Sequence, residues 1–214
     1  ALNGSYEPTL IIVSLLIAFF TSYCVLSIVD RIKSAKESRK TVVWKFVGAI
    51  NFGAGVWAMH FLGMLAFKLP VGVSYSLKIT SLSVLPAIIT GAIFLALLSR
   101  HNISLNRPIL GGVILGSGVG IMHYVGVGAI EADLVMVHQW KYVLISFVAG
   151  IVLSYISLYI DQYISNLRTL SKLTARTLSA TILGLTIATI HYTAMTSTIF
   201  FPTETLSRDG QVFS

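Results

Sequence analysis

A chain of 214 residues that is 55% hydrophobic and 11% charged, with mean hydropathy +0.84, cannot bury its apolar surface in a water-soluble core, so lipid must be the solvent for most of it. The formal charge of +7 would point to nucleic acid in a soluble protein, but here the basic residues sit in short links, where they orient a chain in the bilayer, and nucleic-acid binding is set aside. The one cysteine, Cys24, lies inside an apolar run, which excludes an intrachain disulfide and a cysteine-based zinc site.

Six apolar stretches are long enough to cross roughly 30 Å of hydrocarbon at about 1.5 Å per residue. In chain order they are residues 9–29, 42–67, 79–98, 109–130, 142–160 and 173–200. The first lacks a basic n-region and a small-residue cleavage site, so it reads as a permanent span and not a signal peptide. The expected fold is all-α, a polytopic transmembrane helix bundle of about six spans, with Pro86 and Pro108 shaping or starting helices.

Charge in the links sets the expected orientation. The first link holds Arg31, Lys33, Lys36, Arg39 and Lys40; the third holds Arg100 and Arg107; the fifth holds Arg168, Lys172 and Arg176. The second and fourth hold only Lys68, Lys78 and Lys141, with Glu131 and Asp133. Positive charge marks the cytoplasmic side, which places the N-terminus outside. Lys45, one turn inside the second span, is expected to snorkel to that side. Six spans would leave the polar tail 201–214, with Arg208 and Asp209, outside too. Either the natural protein ends there or the sequence is an excerpt cut before a seventh helix, and the excerpt is the favoured expectation.

Three segments align without gaps: Gly53 to Met64, Gly116 to Val127 and Gly184 to Met195. Each falls in the outer half of an even-numbered span. The repeat is thus a hairpin of two spans, used three times (roughly 9–67, 79–130 and 142–200) within one domain covering 1–214. The segments carry His60, His123 and His191, three of the five histidines, and four of the five methionines. A lipid-facing histidine is costly, so all three should face the bundle interior. Residues four apart share a helix face, which stacks Met64 on His60 and Met195 on His191. Met59 and Met122 precede their histidines by one residue, about 100° around the helix, and flank them.

Imidazole with thioether, and no carboxylate or thiolate, suits copper, above all Cu(I), better than Mg, Ca or Mn. The same pair is a known axial set for haem. Glycines such as Gly53, Gly63, Gly116 and Gly126 let the helices approach closely. A single membrane histidine is usually a hydrogen-bonded packing residue and a single methionine a gap filler. Three copies at equal depth favour a shared metal or redox site, with a structural polar network as the alternative. Phe61, Tyr124 and Tyr192 read as packing, with a tyrosine hydroxyl available as a partner to a ligand. His101 and His138 read as link residues. No phosphate loop, Ser–His–Asp arrangement or carboxylate pair is present, so no enzyme site is visible. A metal-ion transporter or channel, a haem or quinone redox protein and a plain membrane anchor stay open.

Met122-His123-Tyr124, Ile190-His191-Tyr192-Thr193 and Met59-His60-Phe61 resemble the MHYT domain, a bacterial integral-membrane sensor module. The resemblance covers nearly the whole chain. It implies residence in the bacterial inner (cytoplasmic) membrane, seven spans, and fusion to cytoplasmic GGDEF and EAL domains that make and degrade cyclic di-GMP. It also implies one or two copper ions held by His60, His123 and His191 with Met59, Met64, Met122 and Met195, and sensing of a diatomic gas (O2, CO or NO). Pairing as a homodimer stays open at this point. Ile190 and Val127 replace motif methionines, which argues against three equivalent sites.

Overall fold

A computed structural model describes residues 2, 4–35, 37–99, 106–166 and 169–203. Lys36, Arg100, His101, Arg168, Arg208 and Asp209 lie outside the described residues, as does the side chain of Arg107. The elements in chain order are β1 (Ser5–Tyr6), α1 (Pro8–Ser34), α2 (Ser38–Ala66), β2 (Phe67–Lys68), β3 (Ser74–Tyr75), α3 (Leu77–Leu82), α4 (Val84–Leu98), α5 (Asn106–Val127), β4 (Ile130–Glu131), β5 (Leu134–His138), α6 (Trp140–Asn166), α7 (Lys172–Met195) and β6 (Thr198–Pro202). Six of these helical stretches are long and apolar enough to cross a membrane, α3 and α4 counting as one. The chain is a multi-pass membrane protein, an all-helical bundle of three two-helix hairpins.

Local chemistry explains the helix ends. Pro8 opens α1 where its missing N–H is not needed. The Ser171 hydroxyl caps α7 by accepting from the Thr174 amide at 3.1 Å. Pro86 has no N–H to give the Leu82 carbonyl, and the third span breaks between α3 and α4 at Ser83.

The helices form a closed ring in the order α1, α2, α4, α5, α6, α7, and α7 packs back on α1. The motif-bearing helices α2, α5 and α7 also touch one another at the centre. Contact between neighbours is made at equivalent places. A Cβ at Gly53 would strike the backbone of Ile88, one at Gly116 that of Gly150 and Ile151, and one at Gly184 that of Ala18 and Phe19. The outward faces carry Phe20, Phe46, Ile89, Leu144, Val148 and Leu185, all exposed, as a lipid-facing surface requires.

Each hairpin is tied at the same end of the bundle by its own antiparallel strand pair. β1 pairs with β2, β3 with β4, and β5 with β6 over five residues, from Leu134↔Pro202 to His138↔Thr198. Here the structure departs from the expected spans. Phe67, Ile130 and Phe200 end no helix; they lie in β2, β4 and β6. The apolar run continues past each helix end because the strand pairs bury it, so hydrophobicity alone overran the boundary. We call this the capped end, and the end bearing the first and fifth links the link end.

Candidate metal centre

The three motif histidines meet on the bundle axis, near the capped end. His60, His123 and His191 are 1%, 0% and 0% exposed. Their Nδ1 atoms converge, with separations of 3.0 Å (His60–His191), 3.1 Å (His123–His191) and 3.3 Å (His60–His123). The rings stand edge to face, centroids 4.9 to 5.1 Å apart.

As a hydrogen-bond network this arrangement is frustrated. A neutral imidazole carries one N–H, so among three facing Nδ1 atoms at least two are of one kind. At least one contact therefore sets lone pair on lone pair or proton on proton, in a setting where mismatch is costly. As a ligand set it is complementary. The point equidistant from the three nitrogens lies about 1.8 Å from each, spaced for a metal–imidazole bond of about 2.0 Å. The triad can hold a metal ion.

The far sides of the rings show how the helices admit them. His191 Nε2 lies against Gly63 and His60 Nε2 against Gly126, where a Cβ would collide with the ring. Each glycine stands three residues beyond a motif histidine, on the neighbouring motif helix. His191 is turned toward the Gly63 backbone, yet none of the three Nε2 atoms reaches an acceptor in hydrogen-bond geometry.

The methionines divide into two layers. Met59 and Met122 belong to the large core cluster. Met64 and Met195 form a separate small cluster with Val127, at the positions four beyond the three histidines. The structure thus brings the histidines together, sets Met64 and Met195 toward the capped end, and places Met59 and Met122 elsewhere.

The motif tyrosines turn their hydroxyls away from the triad. Tyr192 meets Ser14 at 2.8 Å, and Tyr124 meets Ser146 at 2.8 Å and Ser197 at 3.0 Å. Ser14 and Ser146 already donate to carbonyls three residues back, so the tyrosine is the donor in those pairs. In the first repeat, Phe61 has no hydroxyl, and Trp57 Nε1 reaches Ser83 at 3.0 Å instead. Ser14, Ser83 and Ser146 each follow the start of their helical stretch (Pro8, Leu77 and Trp140) by six residues and are buried. Three equivalent serines therefore hold the motif helices to their outer neighbours. Sequence reading passed over them, because their common spacing emerges only from the helix starts seen in the structure.

Near the capped surface, burial and the neighbouring Tyr192 push the Tyr6 phenol up to about 12, and burial raises that of Tyr75. Both stay neutral at physiological pH. His138 is exposed and bonds through Nδ1 to the Thr198 hydroxyl at 3.1 Å, on the surface as expected.

A family model described as the bacterial signalling protein N-terminal repeat, MHYT, matches residues 53–111 and 116–176. The chain belongs to the MHYT family. Each match opens on the first glycine of a motif. Among curated relatives, this MHYT chain is 34% identical over 201 residues to the bifunctional diguanylate cyclase/cyclic di-GMP phosphodiesterase MucR of Pseudomonas aeruginosa. It is 27% identical over 197 residues to the cyclic di-GMP phosphodiesterase NbdA of the same organism, and 28% over 200 residues to the signaling protein YkoW of Bacillus subtilis. The alignments take in 92 to 93% of this chain but only 29%, 25% and 25% of those relatives. The chain thus spans under a third of each. No solved structure matches it.

Proposed function

We propose that this chain is the sensory module of a membrane signalling protein, in which His60, His123 and His191 hold one copper ion near the outer face. The convergence of three buried Nδ1 atoms carries the reading. They stand too close together for a macrocycle to enter between them, which disfavours haem at this site. The thioethers of Met64 and Met195, one turn beyond, tip the donor set toward copper, with Met59 and Met122 as distant support. When bound, copper supplies a redox-active centre with affinity for O2, CO or NO.

The residues supply the coupling. His191 is fixed in α7, and about 22 Å along the same rod Arg176 pairs with Asp30 of α1. Ligation at the triad sets how closely α2, α5 and α7 approach. A change there shifts α7 against α1 at the link end, a transmission that needs two packings of similar energy. With the basic links in the cytoplasm, that end faces GGDEF and EAL domains in the same chain, in the inner membrane, with the N-terminus outside. The cyclic di-GMP activities named for MucR and NbdA support such an output.

The test is anaerobic Cu(I) titration of the chain in lipid, against a variant with His60, His123 and His191 each replaced by Asn. Chelator-resistant copper should be lost while helical content is retained. Full retention by the triple variant would sink the assignment. Gas sensing is tested separately, by exposing the copper-loaded protein to CO, NO and O2: one of them should perturb its spectrum, and silence toward all three would remove the gas from the account.

A further inference from the structure

Helix α7 stands in the ring between α1 and α6, and each neighbour brings one carboxylate to it at the link end. Asp30 of α1 holds the ion pair with Arg176. Asp161 of α6 is the second. Ser154, Ser157 and Ile164 are buried, and steps of three and four residues put Asp161 on their face. A carboxylate so placed in a membrane helix needs a partner, yet among the described residues Asp161 makes no ion pair. It faces the Ser179 hydroxyl, with the charges of Arg176, Lys33 and Asp30 around it. Ser179 Oγ, in a residue 3% exposed, itself reaches no partner in hydrogen-bond geometry.

Arg176 and Ser179 lie three apart on one face of α7. One guanidinium therefore stands between two carboxylates on opposite neighbours, and its planar fork engages one of them at a time. A cavity of about 430 Å³, lined by all four residues, separates them. It gives the arginine room to cross without displacing packed atoms. Lys33 and Lys172 line the same cavity and screen whichever carboxylate the arginine leaves, which keeps the two arrangements close in energy.

We propose that Arg176 is a two-position clasp, whose exchange from Asp30 to Asp161 hands α7 from α1 to α6 and relays a change at the histidine triad to the link end. The exchange stands on the geometry of these residues; its coupling to the triad rests on the proposed function.

The exchange is tested without metal, by thermal unfolding of the chain in lipid nanodiscs. Arg176→Gln should lower Tm in the wild type, lower it by less in Asp30→Asn, and cease to lower it only when Asp30→Asn and Asp161→Asn are combined. No loss of Tm on adding Arg176→Gln to Asp30→Asn would show a single partner and overturn the exchange. The coupling is read by electron–electron resonance between nitroxides on Tyr163→Cys of α6 and Leu173→Cys of α7, both exposed, in a Cys24→Ser background. Asp30→Asn should hold the shorter distance and Asp161→Asn the longer. Cu(I) should change the distance by about 1–2 Å with both aspartates present, and leave it fixed in Asp161→Asn. Copper that binds through the histidines and leaves the distance unchanged would overturn the coupling alone. A triad that takes no copper would remove the proposed function and the coupling together, while the unfolding series still decides the exchange.

Discussion

At the scale of the residue, the triad depends on what its neighbours lack as much as on the histidines. The His191 ring occupies space that a Cβ at Gly63 would take, and the His60 ring does the same at Gly126. Alanine is the better helix former by about 1 kcal/mol, so Gly63→Ala and Gly126→Ala should leave the helices formed. Each should displace a ring and lower Cu(I) affinity about 10- to 100-fold, the usual cost of disturbing the surroundings of a metal ligand. Gly72→Ala, in open space, serves as the control and should change nothing. Competition with a Cu(I) chelator reads the difference; equal affinity in all three variants would show that the notches do not position the rings. The histidines were legible in the sequence because they recur. The glycines were legible only as small residues, since which ring fills which notch depends on how α2, α5 and α7 are arranged around the axis.

At the scale of the element, the six spans could be read from hydropathy, but their ends could not. Ile199 and Phe200 carry the apolar character of the last span past Met195, yet Thr198–Pro202 pairs with β5. A strand's reach across the bundle is a tertiary fact that a local apolar run does not carry. The break at Ser83 was signalled by Pro86, three residues later. Helix α7 is the element that joins the two ends, through His191 at one and Arg176 at the other. Arg176 pairs with Asp30, side chains 15% and 37% exposed. Solvent screens a pair so placed, so a double-mutant cycle of Asp30→Asn and Arg176→Gln should give a coupling of about 0.5–1 kcal/mol in thermal unfolding. Zero coupling would mean that the contact does not tie α7 to α1.

At the scale of the molecule, three hairpins form a closed ring with their strand caps on one end and their motif histidines just beneath. The repeat was legible because its chemistry is rare in a membrane. The closure of α7 on α1, and the three serines that hold the ring, required the assembled bundle. The orientation proposed from the basic links is tested by thiol labelling in a Cys24→Ser background. Gly72→Cys, between β2 and β3, should react with a membrane-impermeant reagent on intact cells, and Lys40→Cys, at the start of α2, only after the inner membrane is opened. The reverse pattern would invert the topology and place the triad on the cytoplasmic side. The most direct measurement of the central claim is X-ray absorption at the copper edge of the loaded chain, with and without the triad. An imidazole shell of about three nitrogens in the wild type, absent when His60, His123 and His191 are replaced by Asn, is the expected result; a copper environment that is the same in both, or that never contains imidazole, would contradict it.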